Sequence, residues 1–380
     1  MQCLWWLAVL LLAYTFVGYP VLITILAAFK PQGFLALPPS PLPSVCVIIV
    51  AYNEENRVAN RIENLLLTNY PLTHIEILVV SDGSTDMTAN NVRVFRNDKI
   101  HLLERPVQAG KAACLNAAVQ NCASDLIVFT DARQRFAPDT IGRLVSRFAD
   151  PLTGAVSGAL EIESSETTIG RGVDTYWSIE KRIRQAESVW NSVAGCTGAV
   201  YAIRTKLFFP LPDDTILDDV VIPMQVVLTG KRVLFEPEAK AYDPQSLDPT
   251  SEKMRKIRTL AGNFQMLFRY PRWLLPWRNP LWWQLLSHKY LRLLGPLLLG
   301  LLFILDILLA TGHTFHRITL ALQILFYIAA LAGLVFRTSG FRLLSVPSGF
   351  VFLNLLIVRA FHAYLSGHSL HRWKKTVHHA

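Results

Sequence analysis

Three short apolar runs, each followed at once by polar residues, constrain the fold of this chain most strongly. The runs are Val45–Val50, Ile75–Val80 and Leu126–Phe129, and all three are rich in β-branched residues. Such runs are typical of parallel strands that are buried on both faces. Helical patterns lie between them, at Arg57–Leu67 and Lys111–Gln120. We therefore predict an α/β domain with an open sheet and a ligand site where the strands end.

Two of the predicted strands lead into an acidic residue. Asp82 follows the second run in SDGSTD, and Asp131 follows the third run in TDAR. Because parallel strands end at the same edge of a sheet, both carboxylates would face the crevice in which open α/β sheets bind ligands. Carboxylates at such a place suit a diphosphate that is held through a divalent metal ion.

Several motifs of this region resemble those of glycosyltransferase family 2, in the order in which that family has them. They are AYNEE, SDGSTD, GKAACLNAA, GCTGAVYAIR, ILDDV and RKIRTLAGNFQ, and they span about Val45 to Gln265. Six motifs in the right order are far more specific than any one of them. The resemblance implies the GT-A fold, a nucleotide-sugar-binding α/β domain with a mixed, mainly parallel sheet. It also implies inverting transfer from a nucleotide sugar, with UDP as the expected nucleotide.

The resemblance assigns a donor site to this sequence. The expected nucleotide-sugar contacts are Ala51, Tyr52, Glu54, Asp82, Gly110, Lys111, Asp131 and Arg133. Asp131 matches the first acid of the family's DxD motif and is the expected ligand of Mg²⁺ or Mn²⁺. Arg133 stands where the second acid would be, so one metal ligand is lost and a direct phosphate contact is expected instead. A divalent ion remains expected, because phosphates supply most of its ligands.

The segment LPDDTILDDV is the second region with candidate catalytic residues. Asp218 and Asp219 open a helical run, and the resemblance makes Asp219 the general base that takes the proton of the acceptor hydroxyl. An adjacent carboxylate raises the pKa of its neighbour, which suits a base. Helix capping by Asp214 or Asp218 is the alternative role for these acids.

Arg258, in RKIRTLAGNFQ, matches the arginine of the QxxRW motif that processive members of the family carry. We expect it to neutralise the leaving diphosphate. Arg255 and Thr259 stand where that motif has Gln and Trp, which puts a stacked polysaccharide acceptor in doubt. A basic helix lying against lipid head groups is an alternative that is compatible with this role.

Thr175–Ser188 has the apolar spacing and the charges of an amphipathic helix. Its charged residues Glu180, Arg184 and Glu187 could line the cleft. For most of these charges a solvated face with pairs four residues apart is the favoured interpretation.

Long apolar runs flank the predicted catalytic region. Residues 4–29 carry no charge, and further spans are predicted at about 291–310 and 318–336, with a third candidate at 346–366. Asp306 lies inside the first of these C-terminal spans, close enough to its end that we expect it to face the interface. The hydrophobic fraction of 52% and the mean hydropathy of +0.32 agree with a multi-pass membrane enzyme.

The charges around these spans predict an orientation. Lys30 follows the first span, which places the catalytic domain in the cytoplasm, at a plasma or inner membrane. A third complete C-terminal span would then put HRWKK outside, against the positive-inside rule. We therefore expect a re-entrant or interfacial segment there. The net charge of +9 suits anionic membrane lipids, and no motif that reads nucleic-acid bases accompanies it.

The predicted domain organisation follows from these patterns. It has an N-terminal transmembrane helix (1–30), a proline-rich linker (31–43), the catalytic domain (44–263), an interfacial amphipathic segment (264–290), and a C-terminal membrane region with a basic tail (291–380). The five cysteines include no CxxC pair, so they predict neither a disulfide framework nor a zinc site.

Together these patterns predict a membrane-bound inverting glycosyltransferase that acts on a lipid-linked or saccharide acceptor. Two alternatives stay open: a processive polysaccharide synthase subunit, and a non-catalytic membrane subunit of a glycan-export complex. A partner subunit or a homo-oligomer is compatible with each of them. A dinucleotide enzyme is not favoured, because AYNEEN rather than G-x-G-x-x-G follows the first strand.

Overall fold

The computed structural model describes residues 1–30, 38–162, 168–243, 249–336 and 342–367. The strands, in chain order, are β1 (Val45–Ala51), β2 (Ile75–Asp82), β3 (Ile100–Arg105), β4 (Leu126–Asp131), β5 (Arg135–Phe136), β6 (Thr153–Ile162), β7 (Tyr201–Arg204) and β8 (Arg232–Asp243). The helices are α1 (Gln2–Ala28), α2 (Val58–Leu66), α3 (Thr88–Arg93), α4 (Lys111–Gln120), α5 (Thr140–Ser146), α6 (Thr168–Trp190), α7 (Asp218–Leu228), α8 (Pro249–Arg269), α9 (Trp282–Leu293), α10 (Gly295–Leu309), α11 (Thr314–Phe336) and α12 (Arg342–Leu365). Short 3₁₀ turns lie at Leu72–His74, Arg147–Ala149, Thr205–Leu207 and Pro271–Leu274.

The strands form one sheet in the order β3-β2-β1-β4-β7-β6-β8-β5. The first four strands of this order run parallel to one another, which brings their carboxyl ends to one edge. Strand β7 is antiparallel to both β4 and β6, while β6 and β8 are parallel. The predicted α/β architecture with a mixed, mainly parallel sheet is confirmed, and each predicted strand extends by one or two residues toward the site.

The sheet is buried on both faces. Side chains alternate along a strand, so Cys46, Ile48 and Val50 of β1 enter one core cluster while Val45 and Val47 enter the other. All seven residues of β1 are buried. This double burial explains why the run is apolar without alternation, and it confines polar chemistry to the strand ends.

Helix boundaries follow the sequence patterns closely where the pattern is periodic. Helix α4 is the predicted Lys111–Gln120, and α2 lies within the predicted Arg57–Leu67. Helix α5 ends at Ser146, where the chain tightens into the 3₁₀ turn Arg147–Ala149. Helix α6 is longer than predicted and begins at Thr168.

Three helices of the described residues are long and apolar enough to cross a membrane: Gln2–Ala28, Thr314–Val335 and Leu344–Leu365. The pair α9 and α10 would be a fourth if it forms one span, but it is bent by 57°. The predicted span 291–310 is therefore divided. Its first residues belong to α9, and the straight apolar helix begins at Gly295.

The N-terminal helix packs against the C-terminal membrane region. Trp5 and Ala8 of α1 form one buried cluster with Leu298, Leu302 and Leu305 of α10. Both flanks of the catalytic region therefore meet in one helical bundle, although they are separated by almost 270 residues of sequence.

Asp306 is completely buried between α10 and α11. One carboxylate oxygen lies 2.9 Å from His316 Nδ1 and accepts a hydrogen bond from Thr319 at 2.8 Å, and the other accepts one from Gln323 at 2.8 Å. The expectation that this acid faces the interface is wrong, because successive turns of α11 supply polar partners that satisfy it inside the bundle.

The second half of helix α12 packs against the catalytic region. The ring of Phe361 is 5.0 Å from that of Phe264, and the ring of Tyr364 stacks on Phe268 at 5.6 Å. This packing favours the interfacial or re-entrant segment predicted there, which stays a prediction. The HRWKK sequence falls outside the described residues.

The predicted domain limits stay predictions. The structure bears on two of them. Helix α8 continues through the predicted boundary at 263 and ends at Arg269. Most of the predicted linker, residues 31–37, lies outside the described residues.

Candidate active site

The end of β2 is joined to the loop that precedes α4. The carboxylate of Asp82 accepts hydrogen bonds from the backbone N–H groups of Ala109 and Gly110, at 2.8 and 2.9 Å. Gly83 follows in a left-handed conformation (φ +67°), and a Cβ there would lie 2.5 Å from the backbone nitrogen of Gln108. Only glycine fits this close approach of two backbones. Asp82 therefore sits at a rigid corner of the sheet edge.

The loop after β1 is fastened to the loop after β2. Ala51 ends β1 and is buried, Tyr52 follows it, and Asn53 adopts a positive φ of 55°. The side chain of Asn53 accepts a hydrogen bond from Thr85 N–H at 2.8 Å. Glu54 accepts an ion-paired hydrogen bond from Arg57 at 2.9 Å. The predicted nucleotide-contacting residues of the first strand thus lie beside those of the second.

Lys111 occupies the centre of the site. It is buried at the start of α4, with its ammonium 3.0 Å from Asp131 and 3.4 Å from Asp218. Burial alone would lower the pKa of Lys111, but Asp131, Asp218 and Asp219 raise it above its ordinary value. The lysine therefore stays charged and holds together the end of β4 and the start of α7.

Asp219 is half-buried and has a close negative neighbour in Asp218. Burial raises its pKa to about 6; Asp218 and Asp131 add to the rise, while Lys111 and Lys289 oppose it. Helix α7 has Leu217 at its N-cap, without a side-chain cap, so the capping alternative for Asp218 is not what the structure shows. A carboxyl with this pKa can take a proton near neutral pH.

A tight loop holds the backbone around Asp219. The N–H of Cys196 donates to the carbonyl of Asp219 at 2.7 Å, and a Cβ at Gly198 would lie 3.1 Å from the Asp219 carboxylate. The predicted acceptor-side motif GCTGAVYAIR therefore lies directly against the predicted base. Glycine at position 198 lets the loop approach that carboxylate closely.

Arg133 pairs with Asp243 at the end of β8. Arg255 of α8 also approaches Asp243, at 3.9 Å. Both arginines thus lie at the same edge as Asp131, on its β8 side. The phosphate contact expected of Arg133 stays a prediction, and it would require this guanidinium to serve Asp243 and a phosphate together.

Arg258 lies on α8 one turn before Gly262. A Cβ at Gly262 would be only 2.5 Å from Leu217 Cγ, so this face of the helix is pressed against the residue that precedes Asp218. Residues four apart share a helix face, which brings Arg258 toward the same region. Its role on the leaving diphosphate stays a prediction.

The charges of α6 are not a solvated face. Glu187 is 1% exposed and lies 2.8 Å from Nδ1 of His288, whereas Glu180 lies 2.9 Å from Nε2 of the same ring. Arg184 donates to Thr197 at 2.6 Å. The favoured interpretation of these three charges is wrong, because α9 and the loop before β7 cover them.

Sequence reasoning missed His288 and Lys289 as neighbours of the site. Both lie in Leu285–Tyr290, a π-helical segment of α9, whose wider turns change which residues share a face. Burial alone would raise the pKa of Glu180, but His288, Arg292 and Lys289 hold it well below its ordinary value. The only signal of these neighbours in the sequence is that a histidine and a lysine lie within an apolar run beside prolines.

A divalent ion fits the donor chemistry of this edge only in part. The described residues contain no group of three or more His, Cys, Asp or Glu side chains that could hold a metal ion together. The side chain of Asp131 is 36% exposed and offers a hard carboxylate oxygen toward the crevice. An ion bound there would take its remaining ligands from phosphates or water, which Mg²⁺ and Mn²⁺ accept.

The fold and this edge of carboxylates define a GT-A domain attached to membrane helices. Over 95% of the chain, the structure matches 99% of a solved mannosyltransferase from Pyrobaculum calidifontis in complex with GDP-Man and Mn²⁺, with a TM-score of 0.73 and 23% identity. The predicted GT-A fold class is thereby confirmed. Residues 46–209 match the model of Glycosyl transferase family 2, and this part of the chain is a domain of that family.

Curated relatives share the same region. A poly-beta-1,6-N-acetyl-D-glucosamine synthase of Staphylococcus aureus is 23% identical over 237 residues, which cover 60% of this chain and 56% of the relative. An N-acetylglucosaminyltransferase of Rhizobium meliloti is 28% identical over 229 residues, covering 55% and 53%. The chain therefore matches only about half the length of these relatives.

Proposed function

We propose that this protein is a membrane-bound inverting glycosyltransferase. It transfers a sugar from a nucleotide diphosphate sugar, with UDP as the nucleotide, to a lipid-linked or saccharide acceptor. The names of the two curated relatives make N-acetylglucosamine the first sugar to test. The catalytic domain lies at the cytoplasmic face of the membrane, where nucleotide sugars are available.

The observation that carries this proposal is the placement of Asp219 at the start of α7, next to Asp218, which lies 3.4 Å from Lys111, and against the loop that contains Cys196. A pKa of about 6 keeps Asp219 mostly deprotonated at neutral pH, yet basic enough to accept a proton. It lies beside Lys111 and Asp131, at the strand edge where α/β folds bind their ligands. Inverting transfer needs one base for the acceptor hydroxyl and no covalent intermediate, which agrees with this arrangement.

The remaining residues of the edge have complementary roles. Asp82, Ala51, Tyr52 and Glu54 form the nucleotide side of the crevice, and Asp131 would hold a Mg²⁺ or Mn²⁺ ion. Such an ion supplies positive charge to the diphosphate. Lys111 keeps Asp131 and Asp218 in place, and Arg258 offers a further cation for the leaving group.

A processive polysaccharide synthase is the second candidate, because the Staphylococcus aureus relative is named for a polymer. Thr259 and Arg255 argue against it, since Thr259 is an exposed hydroxyl that bonds the Arg255 carbonyl and offers no aromatic surface. We therefore favour the addition of one or a few sugars by the isolated chain.

The test is nucleotide release by the purified, detergent-solubilised full chain. It is incubated with UDP-N-acetylglucosamine, UDP-glucose or GDP-mannose, with and without Mn²⁺, and with membrane lipid extract as the acceptor. We expect one donor to release nucleotide, with the release depending on both acceptor and metal. A folded chain that releases nucleotide from none of these donors would contradict the enzyme assignment and favour a non-catalytic subunit.

A further inference from the structure

Arg184 of α6 joins strand β6 to the loop that precedes β7. One terminal guanidinium nitrogen donates to the Thr197 hydroxyl at 2.6 Å. The other donates to the Ser157 hydroxyl at 2.8 Å and to the carbonyl of Gly195 at 3.1 Å. All three acceptors are neutral oxygens, and the planar fork of a guanidinium can bond several of them at once. Arg184 therefore fixes the loop by hydrogen-bond geometry rather than by pairing with a charge.

The sheet holds the same loop at a second point. Ser157 is completely buried in β6, and its hydroxyl also accepts a hydrogen bond from the Thr197 N–H at 2.9 Å. Thr197 is thus held through its side chain by Arg184 and through its backbone by Ser157. A buried serine within a strand has little freedom to move, so these contacts tie the loop to the core of the domain.

The opposite side of the loop lies against the predicted base. The N–H of Cys196 donates to the carbonyl of Asp219 at 2.7 Å. A Cβ at Gly195 would lie 3.1 Å from Val220 Cγ2, and one at Gly198 would lie 3.1 Å from the Asp219 carboxylate. In the proposed reaction the acceptor hydroxyl meets this carboxylate, so the loop borders the place of the acceptor.

Helix α6 is itself fixed by the membrane helices. Glu180, Arg184 and Glu187 are four and three residues apart, so they share one face of the helix. Glu187 accepts a hydrogen bond from the Tyr19 hydroxyl and lies 2.8 Å from His288 Nδ1. Glu180 lies 2.9 Å from Nε2 of the same ring. The acids on either side of Arg184 are thus held by α1 and α9, which fixes the position from which Arg184 reaches the loop.

We propose that Arg184 is a positioning residue of glycosyl transfer, which holds residues 195–198 against Asp219 so that the loop aligns the acceptor with the base. It acts through the loop and not on the reacting atoms. Because a water molecule needs no alignment by the loop, loss of this contact should reduce transfer to the acceptor far more than hydrolysis of the donor. The inference rests on the proposed glycosyl transfer and adds to it the residue that orders the acceptor side of the site.

The first measurement observes the loop without any ligand. Amide hydrogen exchange is followed by mass spectrometry in the purified, detergent-solubilised full chain, for wild type, Arg184→Gln, Ser157→Ala and the control Arg182→Gln. Arg182 is exposed on the same helix. We expect the Cys196 amide to exchange at least about tenfold faster in Arg184→Gln and Ser157→Ala, while the amides of β1 stay within about twofold of wild type. Arg182→Gln should match wild type at both places.

The second measurement separates transfer from hydrolysis. The same four proteins receive membrane lipid extract and the radiolabelled donor that wild type uses, chosen from UDP-N-acetylglucosamine, UDP-glucose and GDP-mannose. Label in the lipid phase measures transfer, and free labelled monosaccharide measures hydrolysis. In Arg184→Gln we expect transfer to fall at least about tenfold while hydrolysis stays within about twofold of wild type. Ser157→Ala should shift the ratio in the same direction, and Arg182→Gln should leave it unchanged.

Wild-type exchange of the Cys196 amide in Arg184→Gln would overturn the inference. Equal losses of transfer and hydrolysis would overturn it as well, because they indicate a general disruption of the site. If Arg184→Gln does not fold, Ser157→Ala gives the answer, and wild-type exchange or a wild-type ratio in that variant overturns the inference. An active wild type with an unchanged ratio in Arg184→Gln contradicts this inference alone. A wild type that releases nucleotide from none of the donors contradicts the proposed function and, with it, any role of Arg184 in transfer.

Discussion

At the scale of single residues, the site is partly buried, and its negative and positive side chains offset one another. Asp218 and Asp219 are neighbours, and Lys111 lies between Asp218 and Asp131. The lysine offsets enough of the negative charge for the acids to share the site, but it leaves Asp219 with a raised pKa. Reactivity therefore depends on the balance among four side chains.

This balance predicts the direction in which kcat/KM changes with pH. Since the pKa of Asp219 is about 6, its basic form prevails above pH 6 and is lost below it. We expect kcat/KM to fall about tenfold per pH unit below that value. Asp218→Asn removes a like charge that raises the pKa of Asp219, so the acid limb should move to lower pH.

The measurement is a pH profile of initial rates between pH 4.5 and 8, under conditions where each variant remains folded. Asp213→Asn is the matched control, because Asp213 is exposed in the loop that precedes α7. Its profile should coincide with that of wild type. An acid limb in Asp218→Asn that stays in place, or moves to higher pH, would exclude Asp219 as the titrating base.

At the scale of elements, the position of α8 against the start of α7 is the contact most open to test. A Cβ at Gly262 would lie 2.5 Å from Leu217 Cγ and 3.0 Å from Ile216 Cγ2. Leu217 immediately precedes the two acids, so any displacement of this contact alters the geometry of the base. Arg258 is carried by the same helix face.

Gly262→Ala should therefore reduce kcat by roughly tenfold or more, since small misplacements of reacting groups have effects of this size. UDP binding should change less than turnover, because the predicted nucleotide contacts Ala51, Tyr52, Glu54 and Asp82 lie in or directly after β1 and β2. The control is Gly142→Ala in α5, where a Cβ meets nothing within 4 Å. That variant should be more stable by about 0.5–1 kcal/mol from helix propensity alone.

Both variants are assayed for kcat, for UDP binding by calorimetry and for Tm. Wild-type turnover in Gly262→Ala would show that α8 does not position the base. Loss of UDP binding to the same degree as turnover would show a general disruption instead.

The sequence predicts elements well where burial repeats regularly. The runs at β1, β2 and β4 are continuous because both faces of the sheet are buried, and α4 begins and ends where its pattern does. The two acids of α7 are predictable from their motif. These residues depend mainly on local sequence and on one large core.

Other parts of the site depend on contacts between distant segments. The partners of Glu187 are Tyr19 and His288, which lie more than 100 residues away in each direction. The π-helical segment that presents Lys289 has no sequence signature that sets it apart from an α-helix. Asp306 and Arg133 likewise owe their surroundings to neighbours on other elements, which single-sequence patterns do not reveal.

At the scale of the whole molecule, buried hydrogen bonds join the N-terminal helix to α6 and α9. Tyr19 is completely buried and donates to Glu187, and Tyr14 accepts a hydrogen bond from Trp283 Nε1 at 2.7 Å. The anchor is therefore part of the structure that holds α9 beside the active site.

Tyr19→Phe should lower stability by about 1–3 kcal/mol, because it removes a donor from a buried carboxylate. That cost corresponds to a decrease in Tm of roughly 2–6 °C. Tyr327→Phe is the control: this residue lies in α11, and in the described part of the chain its hydroxyl makes no hydrogen bond. Equal Tm values for the two variants in detergent would contradict a structural junction at Tyr19.

Product length tests how the membrane helices and the catalytic domain are organised. The three candidate spans of the described residues, or four with the bent pair, leave little protein to enclose a polysaccharide, whose hydroxyls all need partners in lipid. We expect the purified chain to add one or a few sugars to a membrane acceptor. Radiolabelled donor, followed by separation of the products by size, measures this, and a long polymer made by the chain alone would contradict it.

The central claim is that Asp219 is the base of a glycosyl transfer, and Asp219→Asn tests it most directly. The substitution keeps the shape of the side chain and removes its basicity. We predict that kcat falls at least about 100-fold while the affinity for UDP stays within about twofold of wild type. Turnover close to wild type in a variant that still binds UDP would contradict the account.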